Sequence, residues 1–209
     1  MIYLIAGIGT DVGKTLVSAI LTKMLNASYY KPINCGLDLD SDRILELTGL
    51  SSEKIIETKL SFKNPVSPHQ AADLEKRELY TKNIQFPTEK INLIIESVGG
   101  VLVPINSSET TLDLFAHWPC KWIVVSKHYL GSINHTLMTL KILEQKGIPV
   151  EGIIFNGNKN TYTEEAILKH TSTCFLGRIN EEKLINLKVI ERYVKQWKNN
   201  QYWKDQLKK

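Results

Sequence analysis

A chain of 209 residues with 43% hydrophobic and 23% charged residues is long enough to bury a core and too apolar to be a largely disordered segment. The formal net charge of +4 gathers at Lys188, Arg192, Lys195, Lys198, Lys204, Lys208 and Lys209, which reads as the solvated face of a terminal helix with no nucleic-acid recognition motif beside it. Three cysteines, Cys35, Cys120 and Cys174, share no metal-ligand spacing, and the apolar run Ile2 to Ala6 is too short for a bilayer span or a signal-peptide core, so we expect one cytoplasmic domain over residues 1–209 without a membrane partner.

In chain order, short β-branched runs alternate with longer amphipathic stretches. The first strand is expected at Ile2 to Ala6 and the first helix at Lys14 to Leu25. Strands follow at Ser28 to Lys31, Leu93 to Glu96, Trp122 to Ser126, Gly152 to Asn156 and Cys174 to Arg178. Helices are expected at Asp42 to Thr48, Ile133 to Lys146, Thr163 to His170 and Leu184 to Gln201, with Leu137, Leu140 and Leu143 facing the core and Gly147 as a stop. This alternation predicts an α/β fold of three layers, a mainly parallel sheet flanked by helices. In such sheets ligands sit beyond the carboxyl ends of the strands.

The first strand ends in Gly7-Ile8-Gly9-Thr10-Asp11-Val12-Gly13-Lys14-Thr15. Five residues separate Gly7 from Gly13, one more than the usual phosphate-binding loop, and the run opens a helix. Backbone N–H groups from Gly9 to Gly13 and the helix start supply positive potential for phosphates, Lys14 meets the β- and γ-phosphates, and the Thr15 hydroxyl is suited to ligate magnesium. A triphosphate-bound magnesium takes one or two carboxylates as well. Glu96 ends an apolar run before Gly99-Gly100 and is the first candidate. Asp42, in Asp38-Leu39-Asp40-Ser41-Asp42, is the second, although a helix N-terminal acid is also explained by the helix dipole; Asp40 is the fallback. Lys31 ends the second strand, where it either stabilises a transferring phosphoryl group or is a solvated strand-end lysine. His69 and His135 have no partner spacing that suggests a metal.

Several blocks, in one order, resemble the dethiobiotin synthetases. The five-spaced loop matches Gly7 to Thr15, and a Tyr-Lys-Pro element matches Tyr30-Lys31-Pro32. A Ser-Asp pair resembles Ser41-Asp42, Ser-Pro-His resembles Ser67-Pro68-His69, and Glu-Gly-Ala-Gly-Gly resembles Glu96-Ser97-Val98-Gly99-Gly100. Leu-Gly-x-Ile-Asn-His matches Leu130-Gly131-Ser132-Ile133-Asn134-His135, and Asn156 stands where the family contacts adenine. The blocks cover Met1 to about Ile179.

The resemblance implies an ATP-dependent cyclo-ligase that uses magnesium and forms dethiobiotin from 7,8-diaminononanoate and CO2 or bicarbonate, as a homodimer whose site is completed across the interface. It implies catalytic roles for Lys14 and Lys31, and nucleotide contacts from Gly9, Thr10, Asp11, Val12, Gly13, Lys14, Thr15, Glu96, Gly99 and Asn156. Thr15, Asp42 and Glu96 become the magnesium ligands. Lys31, Cys35, Gly131, Ser132 and Asn134 become substrate contacts, the last three from the partner subunit. Cys35 stands where the family commonly has Ser or Thr, and Gly177-Arg178-Ile179-Asn180 departs from its Gly-x-Ile-Pro element.

A partition-type ATPase switch shares this fold but carries an extra lysine early in the loop, where this chain has Ile8 and Gly9. A glutamine-dependent amidase needs a further domain with a nucleophilic cysteine. A nucleic-acid binder using the basic tail would bind with a steep salt dependence.

Overall fold

The computed structural model describes residues 1–208. Its elements in chain order are β1 (Ile2–Gly7), α1 (Lys14–Leu25), β2 (Ser28–Tyr30), β3 (Ile33–Cys35), α2 (Asp40–Thr48), β4 (Ile55–Ile56), β5 (Leu60–Phe62), α3 (Pro68–Leu74), β6 (Leu93–Gly100), α4 (Thr111–Phe115), β7 (Lys121–Lys127), α5 (Ser132–Gln145), β8 (Val150–Asn156), α6 (Thr161–Thr171), β9 (Phe175–Ile179), α7 (Leu187–Trp197) and α8 (Gln201–Leu207). Seven strands lie side by side in the order β4, β2, β6, β1, β7, β8, β9. Every neighbouring pair is parallel. Strands β3 and β5 form a separate parallel pair. From β1 the chain leaves to one side for β2, returns to β6, and then passes β1 to reach β7. The carboxyl ends of β6, β1 and β7 therefore form the crevice at the reversal of strand order, the place where such sheets hold ligands.

Both faces of the sheet are covered, so its strands are apolar at nearly every position. Alternation along β1 sends Leu4 and Ala6 to one face and Tyr3 and Ile5 to the other. The first face packs on α4 and α5 through Leu112, Phe115, Leu140 and Leu143. The second packs on α1 through Val17, Ile20 and Leu21, on α2 through Ile44 and Leu47, and on the C-terminal helices through Ile190, Tyr193, Trp197 and Trp203.

Several boundaries shift from the sequence reading, each for a local reason. Helix α2 starts at Asp40, two residues early, so that the inward stripe runs Asp40, Ile44, Leu47. Helix α6 starts at Thr161 because the Asn160 side chain caps it by accepting from the Thr163 N–H. The expected single helix from Leu184 to Gln201 is two helices. Asn186 caps the first and Asn200 the second. Leu137 is half-buried, while Leu140 and Leu143 reach the core.

The pair β3–β5, the two-residue β4, and helices α3 and α4 were not expected from periodicity. Each is too short to show a period, although α4 carries a capping box between Thr110 and Asp113. The basic tail is only partly a solvated face: Trp203 is fully buried and its Nε1 donates to the Leu176 carbonyl at 2.9 Å. Among the described residues, no helix is long and apolar enough to cross a membrane.

Candidate active site

The loop between β1 and α1 folds as the sequence requires at its glycines. Gly13 has φ +96, a left-handed conformation, and a Cβ there would lie 2.4 Å from Asn156 Nδ2. That close approach exists because Asn156, at the end of β8, donates from Nδ2 to the Val12 carbonyl at 2.9 Å. Asn156 thus braces the loop. Gly99, with φ +60, lets the chain turn after β6 where a Cβ would strike Val103 at 2.7 Å.

Lys14, at the start of α1, is 7% exposed and donates to the Gly9 carbonyl at 2.8 Å, so the loop closes on its own lysine. Burial lowers its pKa to about 8, against the opposing pull of Glu96. An amine held this way exchanges one carbonyl for an anion at little cost, since it is already desolvated.

Beside the loop, β2 and β6 bring a charged cluster to the cleft. Lys31 Nζ pairs with Asp40 Oδ2 and lies 3.2 Å from Glu96 Oε1. Glu96 is 1% exposed. Burial by itself would lower the Lys31 pKa, but Glu96 and Asp40 outweigh it and hold the ammonium above its ordinary value. The Thr15 hydroxyl lies 2.8 Å from Glu96 Oε1 and 2.9 Å from Asp40 Oδ1. One hydroxyl has one proton, so it cannot donate to both carboxylates at once. Three hard oxygens therefore converge with one hydrogen between them, a donor set suited to a magnesium ion that keeps most of its coordination for phosphate and water.

Thr10, Asp11, Gly13, Lys14, Thr15, Lys31, Cys35, Asp40, Glu96 and Gly99 share one cleft of about 700 Å³, closed on its far side by Pro65, Val66, Ser67 and Pro68. Gly9 and Val12 do not line this cleft; their carbonyls accept from Lys14 and Asn156. Asp42 does not reach it. It is exposed with Arg43 on the outer side of α2, two residues round the helix from Asp40, and Asp40 takes the position expected of it.

Gly131, Ser132 and Asn134 are not part of the cleft. They form the start of α5, where Gly131 has φ +98, Ser132 is buried, and the exposed Asn134 side chain lies 3.3 Å from Met138 Sδ through Nδ2. His135 bonds Tyr129 Oη at 2.8 Å through Nδ1. His69 sits in the first turn of α3, its N–H on the Pro104 carbonyl.

Arg178 forms an ion pair with Glu164. Glu164 also meets His128 Nε2 at 3.0 Å. Tyr29 was missed altogether: buried in β2, it donates to Glu96 Oε2 at 2.9 Å. No sequence signal singles it out, because a tyrosine in an apolar strand reads as core.

A family model described as an AAA domain matches residues 2–188. Among curated proteins, the ATP-dependent dethiobiotin synthetase of Chlamydia abortus is 40% identical over 207 residues, 99% of each chain. That of Cytophaga hutchinsonii is 44% identical over 202 residues, covering 96% of this chain and 98% of its own. That of Christiangramia forsetii is 41% identical over 199 residues, covering 94% and 95%.

Among solved structures, the MinD cell division protein of Aquifex aeolicus aligns with a TM-score of 0.53 at 17% identity, over 93% of this chain and 94% of that one. A putative plasmid partition protein of Borrelia burgdorferi aligns with a TM-score of 0.51 at 15% identity, over 94% and 95%. Identities that low carry the fold and nothing further. The full-length relatives carry more, and by them this chain belongs to the family of ATP-dependent dethiobiotin synthetases.

Proposed function

We propose that the chain converts 7,8-diaminononanoate, CO2 and ATP to dethiobiotin, ADP and phosphate, through a carbamate and a carbamic–phosphoric anhydride. The observation that carries this reading is the convergence of Lys14, Lys31, Thr15, Asp40 and Glu96 in one cleft beside the phosphate loop. One amine of the substrate adds to CO2 and loses a proton, giving the carbamate. A carbamate oxygen then attacks the γ-phosphorus as the bond to the β-bridging oxygen breaks and ADP leaves. The second amine attacks the carbamoyl carbon, closes the ureido ring and expels phosphate.

Each step moves negative charge across the same few ångströms, and the residues of the cleft answer that charge. Lys14 transfers its ammonium from the Gly9 carbonyl to the phosphates. Lys31, kept charged by its two carboxylates, faces the transferred phosphoryl group and the carbamate. Thr15, Asp40 and Glu96 would hold magnesium, which would supply charge neutralisation on the phosphate oxygens. Cys35 and Ser67 line the wall open to the diamine.

The homodimer belongs to the same reading. Exposed Leu102, Tyr129, Leu130, Ile133 and Met138 are too apolar for a solvated surface, and two of them, Leu102 and Met138, line a cavity of about 620 Å³ that opens beside Ile8 and Thr10 of the loop. A second copy seated there would bring Gly131, Ser132 and Asn134 toward the neighbour's cleft. The test of the reaction is direct. Purified protein with Mg-ATP and bicarbonate should release ADP only when 7,8-diaminononanoate is added, with dethiobiotin detected by mass spectrometry. Absence of diamine-dependent ADP would end the synthetase reading and leave nucleotide binding untouched.

A further inference from the structure

Tyr29 sits in the middle of β2, paired in register with Ile94 of β6. Residues two apart share a face, so Tyr29 lies on the α1 side of the sheet with Ile94 and Glu96. Its ring is fully buried. The two oxygens of the Glu96 carboxylate have separate partners. Oε2 accepts from Tyr29, whereas Oε1 faces Thr15 and Lys31.

The terminal torsion of a glutamate is broad, and a carboxylate left free would rotate both oxygens through the cleft. With Glu96 1% exposed, no ready exchange with bulk water replaces a lost donor on Oε2. The tyrosine hydroxyl supplies the proton of this contact, because an ionised carboxylate oxygen can only accept. The Tyr-Lys-Pro element begins one residue later, at Tyr30, whose own ring is turned to the opposite face and stacks on Trp118.

We infer that Tyr29 is a positioning residue of the metal–nucleotide site: by holding Glu96 Oε2, it aims Oε1 at the magnesium shared with Thr15 and Asp40. This rests on the magnesium assignment proposed above. Groups that orient a metal's carboxylate from behind matter to affinity almost as much as the ligand itself, and their loss weakens metal binding about 10–100-fold.

The test uses the full chain with a non-hydrolysable ATP analogue and Mn2+ as the probe, read by electron paramagnetic resonance. Wild type, Glu96→Gln, Tyr29→Phe and Tyr29→4-aminophenylalanine are titrated in parallel. Tyr29→Phe should weaken Mn2+ binding about 10–100-fold while metal-free analogue affinity stays unchanged, and the aminophenylalanine variant, which restores a donor, should recover most of the loss. If Glu96→Gln weakens Mn2+ binding and Tyr29→Phe does not, the inference fails and the magnesium assignment stands. If Glu96→Gln has no effect, the assignment fails first and takes the inference with it. Should Tyr29→Phe not fold, as judged by circular dichroism, the aminophenylalanine variant decides: a weaker donor should bind Mn2+ several-fold more weakly than wild type, and equal binding overturns the inference.

Discussion

The cleft end of β1, β2 and β6 and the C-terminal helices over β9 are both deeply buried, but by opposite means. At the cleft, Lys14, Lys31 and Glu96 are each less than 10% exposed, and their burial is tolerated only because each charge or donor has a partner. Over β9, Tyr193, Trp197 and Trp203 fill space with aromatic surface. Gly177 shows the difference well. It opens the segment that departs from the family's Gly-x-Ile-Pro element, and a Cβ there would lie 2.7 Å from the Trp197 ring, so its smallness serves packing. Burial at the cleft spends stability on reactivity, while burial over β9 supplies the stability.

The largest effect should come from breaking the aromatic region. Trp203→Ala removes a fully buried indole, its edge contact with Tyr3 at 5.8 Å between centroids, and the bond to the Leu176 carbonyl. The loss should be about 3–5 kcal/mol. For a chain of this size that lowers Tm by roughly 6–20 °C. Calorimetry or a thermal shift checks it, and nucleotide binding below the new transition should be nearly intact. A loss of nucleotide affinity at temperatures where the variant is folded would show that the two regions are coupled.

The converse change strikes the cleft and spares the fold. Lys14→Ala should reduce turnover by about 10²–10³-fold, the range for removing a group aimed at developing charge. Among the described residues its hydrogen bond goes to a loop carbonyl, so Tm should hardly move. Lys31→Ala should cost similar activity, but it also leaves Asp40 and Glu96 without their shared cation. Its Tm should fall, and added magnesium should restore part of that fall. Near-normal turnover in Lys31→Ala would remove Lys31 from the mechanism.

A finer contrast lies within α2. Asp40→Asn should raise the magnesium needed for half-maximal activity about tenfold or more, whereas Asp42→Asn should stay within twofold. Equal effects would mean that the inward stripe of α2 does not set which acid serves the site.

That pair of aspartates also shows what the sequence could and could not tell. The phosphate loop and Glu96 could be singled out from glycine spacing and strand-end position, whereas strand-end position left Lys31 open between a catalytic and a solvated lysine, and the structure brings all three to one cleft. Asp40 against Asp42 depended on where a helix begins, and capping and packing decide that to within a residue or two. Tyr29 was illegible because its importance arises from β2 lying beside β6, a pairing between segments far apart in the chain. The short pair β3–β5 and helices α3 and α4 left no periodic signal. The tryptophans of the tail were visible, but nothing local said that a basic segment would fold them onto the sheet.

The smallest effects concern Cys35, the one thiol in the cleft. Burial pushes its pKa up to about 11, only partly offset by Lys31, and burial pushes Cys120 up to about 12. The thiolate is the reactive form, so at pH 8 only about one Cys35 in a thousand is poised to react. Cys174 is exposed. Iodoacetamide at pH 8 should therefore label Cys174 first, with Cys35 and Cys120 far behind, as read by peptide mass spectrometry. The sign is fixed: raising the pH toward 11 should speed Cys35 labelling about tenfold per unit. A thiol so firmly protonated contributes at most a weak S–H donor to the substrate wall, and Cys35→Ser, which substitutes a stronger donor of similar size, should leave turnover within a few-fold. Preferential labelling of Cys35, or a collapse of activity in Cys35→Ser, would mean that the thiolate is stabilised by something in the cleft other than Lys31 and takes part in the reaction.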